Sequence, residues 1–205
     1  MSGDKPAVIF DLGGVLVNWD PRNLYRRFFN GDAAALDQFL IDIDFHGWNL
    51  EQDRGRSFAD GVAVLSAQFP QYADLIRAYD QYWEESITGT IAGTVEILYA
   101  LKDAGHSVNL LSNISREKYH VLCDKYDFFD AFDYRLISAD VQLLKPDPRI
   151  YALMLAQIDR VAGDCVFIDD SAVNVAGADR VGLTAIHFQS PPQLKIELQR
   201  CGLLS

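Results

Sequence analysis

Three short apolar runs in this sequence each end in residues able to do polar chemistry. Ala7-Val8-Ile9-Phe10 runs into Asp11-Leu12-Gly13-Gly14. Ser107-Val108-Asn109-Leu110-Leu111 runs into Ser112-Asn113, and Cys165-Val166-Phe167-Ile168 into Asp169-Asp170. A continuous apolar run of this length suits a strand buried on both faces. If the three strands share one parallel sheet, their carboxyl ends converge where open α/β sheets bind ligands. A fourth segment, Lys145-Pro146-Asp147-Pro148, can bring an ammonium among those carboxylates, with two prolines restricting the backbone around it. Taken singly, each polar residue is a loop-opening cap. Together they would gather three carboxylates and one ammonium at the carboxyl end of a sheet.

The elements needed to position that cluster can be read along the chain. Weaker strands are expected at Tyr134-Arg135-Leu136-Ile137 and Thr184-Ala185-Ile186-His187-Phe188. Helices alternate with the strands. Thr94 is read as the N-cap of one that stops at Gly105. Asp147-Pro148 is read as N-cap plus first-turn proline of a second. A third follows Ser171 and ends near Gly182, and Pro191-Pro192 opens the last. This alternation predicts an α/β fold with a doubly wound parallel sheet. Residues 20–89 break it: they contain no buried-strand pattern and read as helices over 23–29, 33–41, 57–68 and 72–85. The expected division is therefore an α/β core of residues 1–19 plus 90–205 and a helical insertion of residues 20–89.

Composition narrows the function classes. The 205 residues are 49% hydrophobic and 23% charged, ordinary globular proportions, with a net charge of −11. So acidic a surface argues against nucleic acid or an anionic membrane as partner, while leaving room for a small phosphorylated ligand. No apolar run reaches the roughly 20 residues of a membrane-spanning helix, and the run before Asp11 is too short for a leader peptide. Cys123, Cys165 and Cys201 form neither a disulfide framework nor a zinc pattern, so a reducing cytoplasm is expected. The sequence leaves the oligomeric state open.

With these segments in order, the chain resembles the haloacid dehalogenase-like hydrolase superfamily over nearly its whole length. The resemblance rests on Phe10-Asp11-Leu12-Gly13-Gly14-Val15, Leu111-Ser112-Asn113, Lys145-Pro146-Asp147-Pro148 and Phe167-Ile168-Asp169-Asp170-Ser171. It implies a Rossmann-like core with a small helical cap inserted after the first strand, and a Mg²⁺-dependent phosphatase acting on a small phosphorylated metabolite. Asp11 would be the nucleophile of an aspartyl-phosphate mechanism. Asp11, the Gly13 carbonyl and Asp170 would hold Mg²⁺, with Asp169 acting mainly through water. Ser112 and Asn113 would meet the phosphoryl group, and Lys145 would balance its charge.

One position departs from the family pattern. Most phosphatases of this family carry a second Asp two residues after the nucleophile, as the acid that protonates the leaving group. Here Gly13 stands there. General acid–base catalysis is worth ~10²–10⁴-fold, so its loss is least damaging for an easily departing group, and a sugar phosphate such as a sugar 1-phosphate is expected. Asp20 could fold back as a substitute, but it reads better as a helix N-cap before Pro21. In the cap, His46-Gly47-Trp48-Asn49 and Asp53-Arg54-Gly55-Arg56 are candidates to face the site; Trp48 could stack on a sugar and Arg54 meet a ring substituent or phosphate. The alternative, which the residue types favour, is that Trp48 packs the cap and the arginines are surface charges. His106, His120 and His187 have no ligand spacing. Competing functions are a metal-independent haloacid dehalogenase and a non-catalytic binding or regulatory protein of the same fold. The acidic pair Asp169-Asp170 weighs against the first, and the retained Asp11 and Lys145 against the second.

Overall fold

A computed structural model describes residues 5–204 of the chain. Residues 1–4, part of the segment read as too short for a leader, and residue 205 lie outside that range.

Five strands form one parallel sheet in the order β5-β4-β1-β6-β7: β1 (Ala7–Phe10), β4 (Val108–Ser112), β5 (Tyr134–Ile137), β6 (Cys165–Asp169) and β7 (Thr184–His187). The three central strands are buried along their whole length. Side chains alternate between faces, as the two-residue period of a strand requires. Val8, Phe10, Val108 and Leu110 pack on one face, with Ile97, Leu98 and Leu101 of α6 (Ala92–Asp103) and Leu194 and Leu198 of α11 (Pro191–Arg200). Ala7, Ile9, Leu111 and Phe167 pack on the other, with Ile150, Tyr151 and Met154 of α9 (Pro148–Gln157) and Ala178 of α10 (Ala172–Arg180). Helices cover both faces, so the apolar runs are continuous rather than alternating. This is the α/β, doubly wound architecture expected from the sequence.

The chain proceeds from β1 outward to β4 and β5, then returns to β6 on the other side of β1. The strand order thus reverses around β1, the place where ligands bind in such sheets.

Between β1 and the next sheet strand, residues 21–86 fold into helices: α1 (Pro21–Tyr25), α2 (Ala33–Asp42), α3 (Phe45–Asp53), α4 (Phe58–Gln68) and α5 (Ala73–Gln81). Aromatic rings fill their common interior. Tyr25 meets Phe39 at 5.0 Å and Phe45 meets Tyr79 at 4.9 Å between ring centroids, in the edge-to-face arrangement that ring quadrupoles favour. Two sequence-based helices are shorter than read: the one over 23–29 is α1, which starts at Pro21 after the Asp20 cap and ends at Tyr25 in a run of turns, and the one over 72–85 gives up its last turn to a 3₁₀ turn at Trp83–Ser86. Three further features depart from the sequence reading. An antiparallel ribbon, β2 (Val17–Trp19) with β3 (Ile87–Thr90), joins the insertion to the core. Helix α3 occupies a stretch that was not assigned a helix. And α6 begins after Ile91, so Thr94 lies inside the helix, fully buried, with no partner for its hydroxyl among the described residues.

Candidate active site

β1, β4 and β6 are neighbours in register, so their last residues meet. Phe10 pairs with Leu110 on one side and Ile168 on the other, and the Asp11 N–H donates to the Ile168 carbonyl at 2.9 Å. Asp11 therefore emerges beside Asp169, with Ser112 at the end of the strand opposite.

Lys145 joins these ends. It lies in the turn before α9, whose Asp147 caps the Arg149 N–H at 2.9 Å and whose first residue is Pro148. Its Nζ is 2.8 Å from Asp11 Oδ1, 2.7 Å from Asp169 Oδ2 and 2.9 Å from the Leu111 carbonyl, with the side chain only 1% exposed. Three acceptors satisfy the three donors of the ammonium. Burial works against its charge, but Asp11 and Asp169 outweigh that, and the Lys145 pKa is held above its ordinary value. Asp11 feels the opposite balance. Burial raises its carboxyl to about 7 against the pull of Lys145, with Asp169 adding to the rise.

Asp169 is fully committed. Besides Lys145 it accepts from the Ser171 N–H at 2.8 Å and from Asn174 Nδ2 at 3.1 Å. Asp170 is more open, and its carboxylate lies over Gly14. A Cβ on Gly14 would stand 2.1 Å from Asp170 Oδ2, and φ there is +76°, so both the backbone and the approach require glycine.

These groups fit a hard divalent cation. Asp11, Asp169 and Asp170 each bring a carboxylate oxygen within 4.8 Å of the other two. Among the described residues no N–H donates to the Gly13 carbonyl, so that oxygen is free as a further donor. An all-oxygen, carboxylate-rich set is what Mg²⁺ prefers. Burial, and then the charge of Asp169, push the Asp170 carboxyl upward as they do Asp11, and a cation would relieve that crowding of like charge.

A cavity of about 90 Å³ opens beside Gly13 and Ser112. Its wall on the core side continues through Leu12, Ile114 and Leu122; the insertion and the ribbon contribute Phe58, Tyr79, Trp83, Val17, Trp19 and Ile87. Polar ties fix the insertion over this space. Lys118 of α7 (Arg116–Lys125) reaches Asp80 at 2.6 Å. The Phe58 N–H donates to Glu117 at 3.2 Å, and Ser138 Oγ donates to the Asp53 carbonyl at 2.5 Å while accepting from the Ile114 N–H at 3.0 Å.

The model of the haloacid dehalogenase-like hydrolase family matches residues 5–182. The chain belongs to the haloacid dehalogenase-like hydrolases. It is 29% identical over 198 residues to the sesquiterpene phosphatase astK of Aspergillus oryzae, covering 95% of each chain. It is 28% identical over 132 residues to (S)-2-haloacid dehalogenase 1 of a Pseudomonas species, covering 63% of this chain and 57% of that one. The fold superposes with a TM-score of 0.72 and 22% identity on the HAD family enzyme bt-2542 of Bacteroides thetaiotaomicron, a structure in complex with magnesium and inorganic phosphate, over 92% of this chain and 96% of that one.

Within this hydrolase fold, Asp11, Asp169, Asp170, Lys145, Ser112 and Gly13 come together as the sequence places them. Asn113 does not face the cavity as a free amide. Its Oδ1 accepts from the Lys145 N–H at 2.9 Å and its Nδ2 donates to the Lys145 carbonyl at 3.1 Å, so it brackets the backbone that carries the ammonium. Trp48 is not brought to the site. It is 6% exposed, its indole N–H donates to the Gly61 carbonyl at 2.9 Å, and its ring packs against Phe45, Phe58 and Tyr79. Arg54 is half-exposed, 3.8 Å from Glu51, and is not part of the cavity wall. Asp20 caps α1 through the Arg22 N–H at 2.9 Å.

Of the two candidate segments, the residues that do line the cavity are Asn49 and Asp53, to which the sequence assigns no role of their own; they are four apart on α3 and therefore on one helix face. Asp53 is nearly buried and accepts from Asn49 Nδ2 at 3.0 Å; burial raises its carboxyl to about 7, with the Ser115 backbone and Asn49 opposing. A helical reading of 45–53 would have exposed that spacing. Asn174 and Ser138 were also missed, for they act only through neighbours distant in sequence.

Proposed function

We propose that this hydrolase is a Mg²⁺-dependent phosphatase that cleaves a small phosphate monoester through an aspartyl-phosphate at Asp11. The observation that carries the proposal is the junction of Asp11, Lys145 and the Asp169–Asp170 pair at three adjoining strand ends. The phosphatase relative supports the same reaction class. A metal-free displacement at carbon has no use for three converging carboxylates, which repel one another unless a cation joins them.

Asp11, Asp170 and the Gly13 carbonyl would hold Mg²⁺, with Asp169 behind them. When bound, the ion supplies positive charge that neutralises the phosphoryl oxygens and keeps the Asp11 carboxylate ionised. An Asp11 oxygen attacks phosphorus in line, the bond from phosphorus to the leaving oxygen breaks, and that oxygen takes a proton from solvent water to leave as an alcohol. Water then attacks the acyl phosphate, releasing phosphate and regenerating Asp11. Lys145 stays fixed beside Asp11 throughout and offsets negative charge gathering in the transition state. The Ser112 hydroxyl, 2% exposed at the cavity edge and without a partner among the described residues, is placed to donate to a phosphoryl oxygen. Gly13 offers no side-chain acid, so substrates with good leaving groups suffer least.

The test is phosphate release from acetyl phosphate and p-nitrophenyl phosphate with Mg²⁺ and with excess chelator. Mg²⁺-dependent release is expected. Release of halide from 2-chloropropionate at a comparable rate with chelator present would instead assign the dehalogenase reaction.

A further inference from the structure

We infer that the cavity beside Gly13 receives the hydrocarbon part of the substrate, so that the ester cleaved is the monophosphate of a small apolar alcohol rather than of a polyol. The inference rests on the phosphatase reading and adds the substrate class to it.

The walls argue for it in two ways. First, Leu12, Val17, Phe58, Ile87, Ile114 and Leu122 present carbon to the space that adjoins Gly13 and Ser112. Second, the polar groups reaching those walls are already engaged. Lys118 Nζ is held by Asp80 Oδ1 at 2.6 Å and lies 4.3 Å from the centre of the Phe58 ring. Asp53 is bonded to Asn49, both amide atoms of Asn113 are bonded to Lys145, and Ser115 Oγ accepts from the Lys118 N–H at 3.3 Å. A polyol entering here would surrender its hydration to walls with few hydrogen bonds to return, which is unfavourable for each hydroxyl. A hydrocarbon group loses nothing and gains the burial. The Ser112 hydroxyl, without a partner among the described residues, stands where the cavity meets the nucleophile's loop, so the polar and apolar ends of such an ester match the two ends of the space. At about 10–15 Å³ for each water-sized group, a cavity of about 90 Å³ suits a branched chain of a few carbons.

The test compares isoamyl phosphate with glycerol phosphate, using acetyl phosphate to report the chemistry without filling the cavity. Both alcohols are primary, and the glycerol alkoxide is the better leaving group, so leaving-group chemistry opposes the expected result. The expected kcat/KM is about 10- to 100-fold higher for isoamyl phosphate, the range given by burying a Leu-sized group. Ile87→Asn and Leu122→Asn should each lower that ratio by about tenfold, a comparison within one enzyme that is independent of how much protein folds. If acetyl phosphate is hydrolysed with Mg²⁺ but the isoamyl-to-glycerol ratio is one or less, or is unmoved by both substitutions, the apolar pocket is overturned and the phosphatase reading stands. If no Mg²⁺-dependent turnover of any of the three occurs, the phosphatase reading fails and the substrate class with it.

Discussion

Lys145 Nζ lies 2.8 Å from Asp11 Oδ1 in a site where the lysine side chain is 1% exposed. The ammonium is held by three acceptors at once, two of them carboxylates, so its removal would strand buried negative charge. Lys145→Met should lower kcat at least ~10²-fold and destabilise the fold by about 3–5 kcal/mol, the usual result of breaking a buried pair. Lys145→Arg should not restore activity, because a planar guanidinium does not fit a pocket shaped for a compact ammonium. Phosphate release and chemical denaturation of the three proteins check this; wild-type stability in Lys145→Met would mean that the pair is not formed.

Gly13 can be tested directly. Its φ is not in the left-handed region, and a Cβ built there meets nothing nearer than Trp19 Cβ at 4.0 Å. An aspartate therefore fits without backbone strain. Gly13→Asp should raise turnover of alkyl phosphates by about tenfold or more relative to aryl phosphates by supplying a proton to the poorer leaving group. An unchanged alkyl-to-aryl ratio would show that another group, with Asp53 the acidic residue of the cavity wall, already donates that proton.

Gly14 behaves differently. A methyl group would stand 2.1 Å from Asp170 Oδ2 on a backbone at φ +76°. Gly14→Ala should displace the Asp170 carboxylate and weaken the response to Mg²⁺ by about 10- to 100-fold, the typical effect of disturbing a ligand's support. The Mg²⁺ concentration for half-maximal activity is the readout, and an unchanged value would place Asp170 outside the metal site.

Asp53 makes stability depend on pH. Burial raises its carboxyl from 3.8 to about 7 in the fold. An acid whose pKa is raised on folding favours the folded state fully below its unfolded pKa, and that advantage is lost as pH climbs to the folded value. Asp53→Asn does not titrate. Its stability relative to wild type should therefore rise with pH by about 1.4 kcal/mol per unit between about 4 and 7 and then level off. Parallel curves for the two proteins across that range would mean that Asp53 is not buried as described.

Much of this site can be read in the sequence, and the reason is local. β1, β4 and β6 are buried on both faces, so each appears as a short apolar run with a sharp polar end, and those ends are the site. The Lys145 segment is marked by its prolines. What was not legible depends on contacts across the chain. β2 and β3 are three and four residues long and only partly buried, so neither shows a strand pattern. Helix α3 carries Gly47 and mixed polarity, which hid its period. Without that period, Trp48 and Arg54 stood out by residue type, whereas the helix turns Asn49 and Asp53 toward the cavity. Thr94 is a cap by composition, but packing starts its helix at Ala92 and leaves the hydroxyl inside. Asn113 looked like a ligand for substrate because its two bonds to Lys145 span 32 positions of sequence.

The central claim is that Asp11 carries the phosphoryl group during turnover. The most direct measurement is acid quenching of the enzyme during turnover of acetyl phosphate with Mg²⁺, followed by peptide mapping by mass spectrometry. One phosphoryl group on the peptide containing Asp11 is expected, lost on mild alkaline treatment and absent from Asp11→Asn, which should also show no turnover. Steady hydrolysis with that peptide never phosphorylated, together with near wild-type turnover by freshly purified Asp11→Asn, would contradict the mechanism.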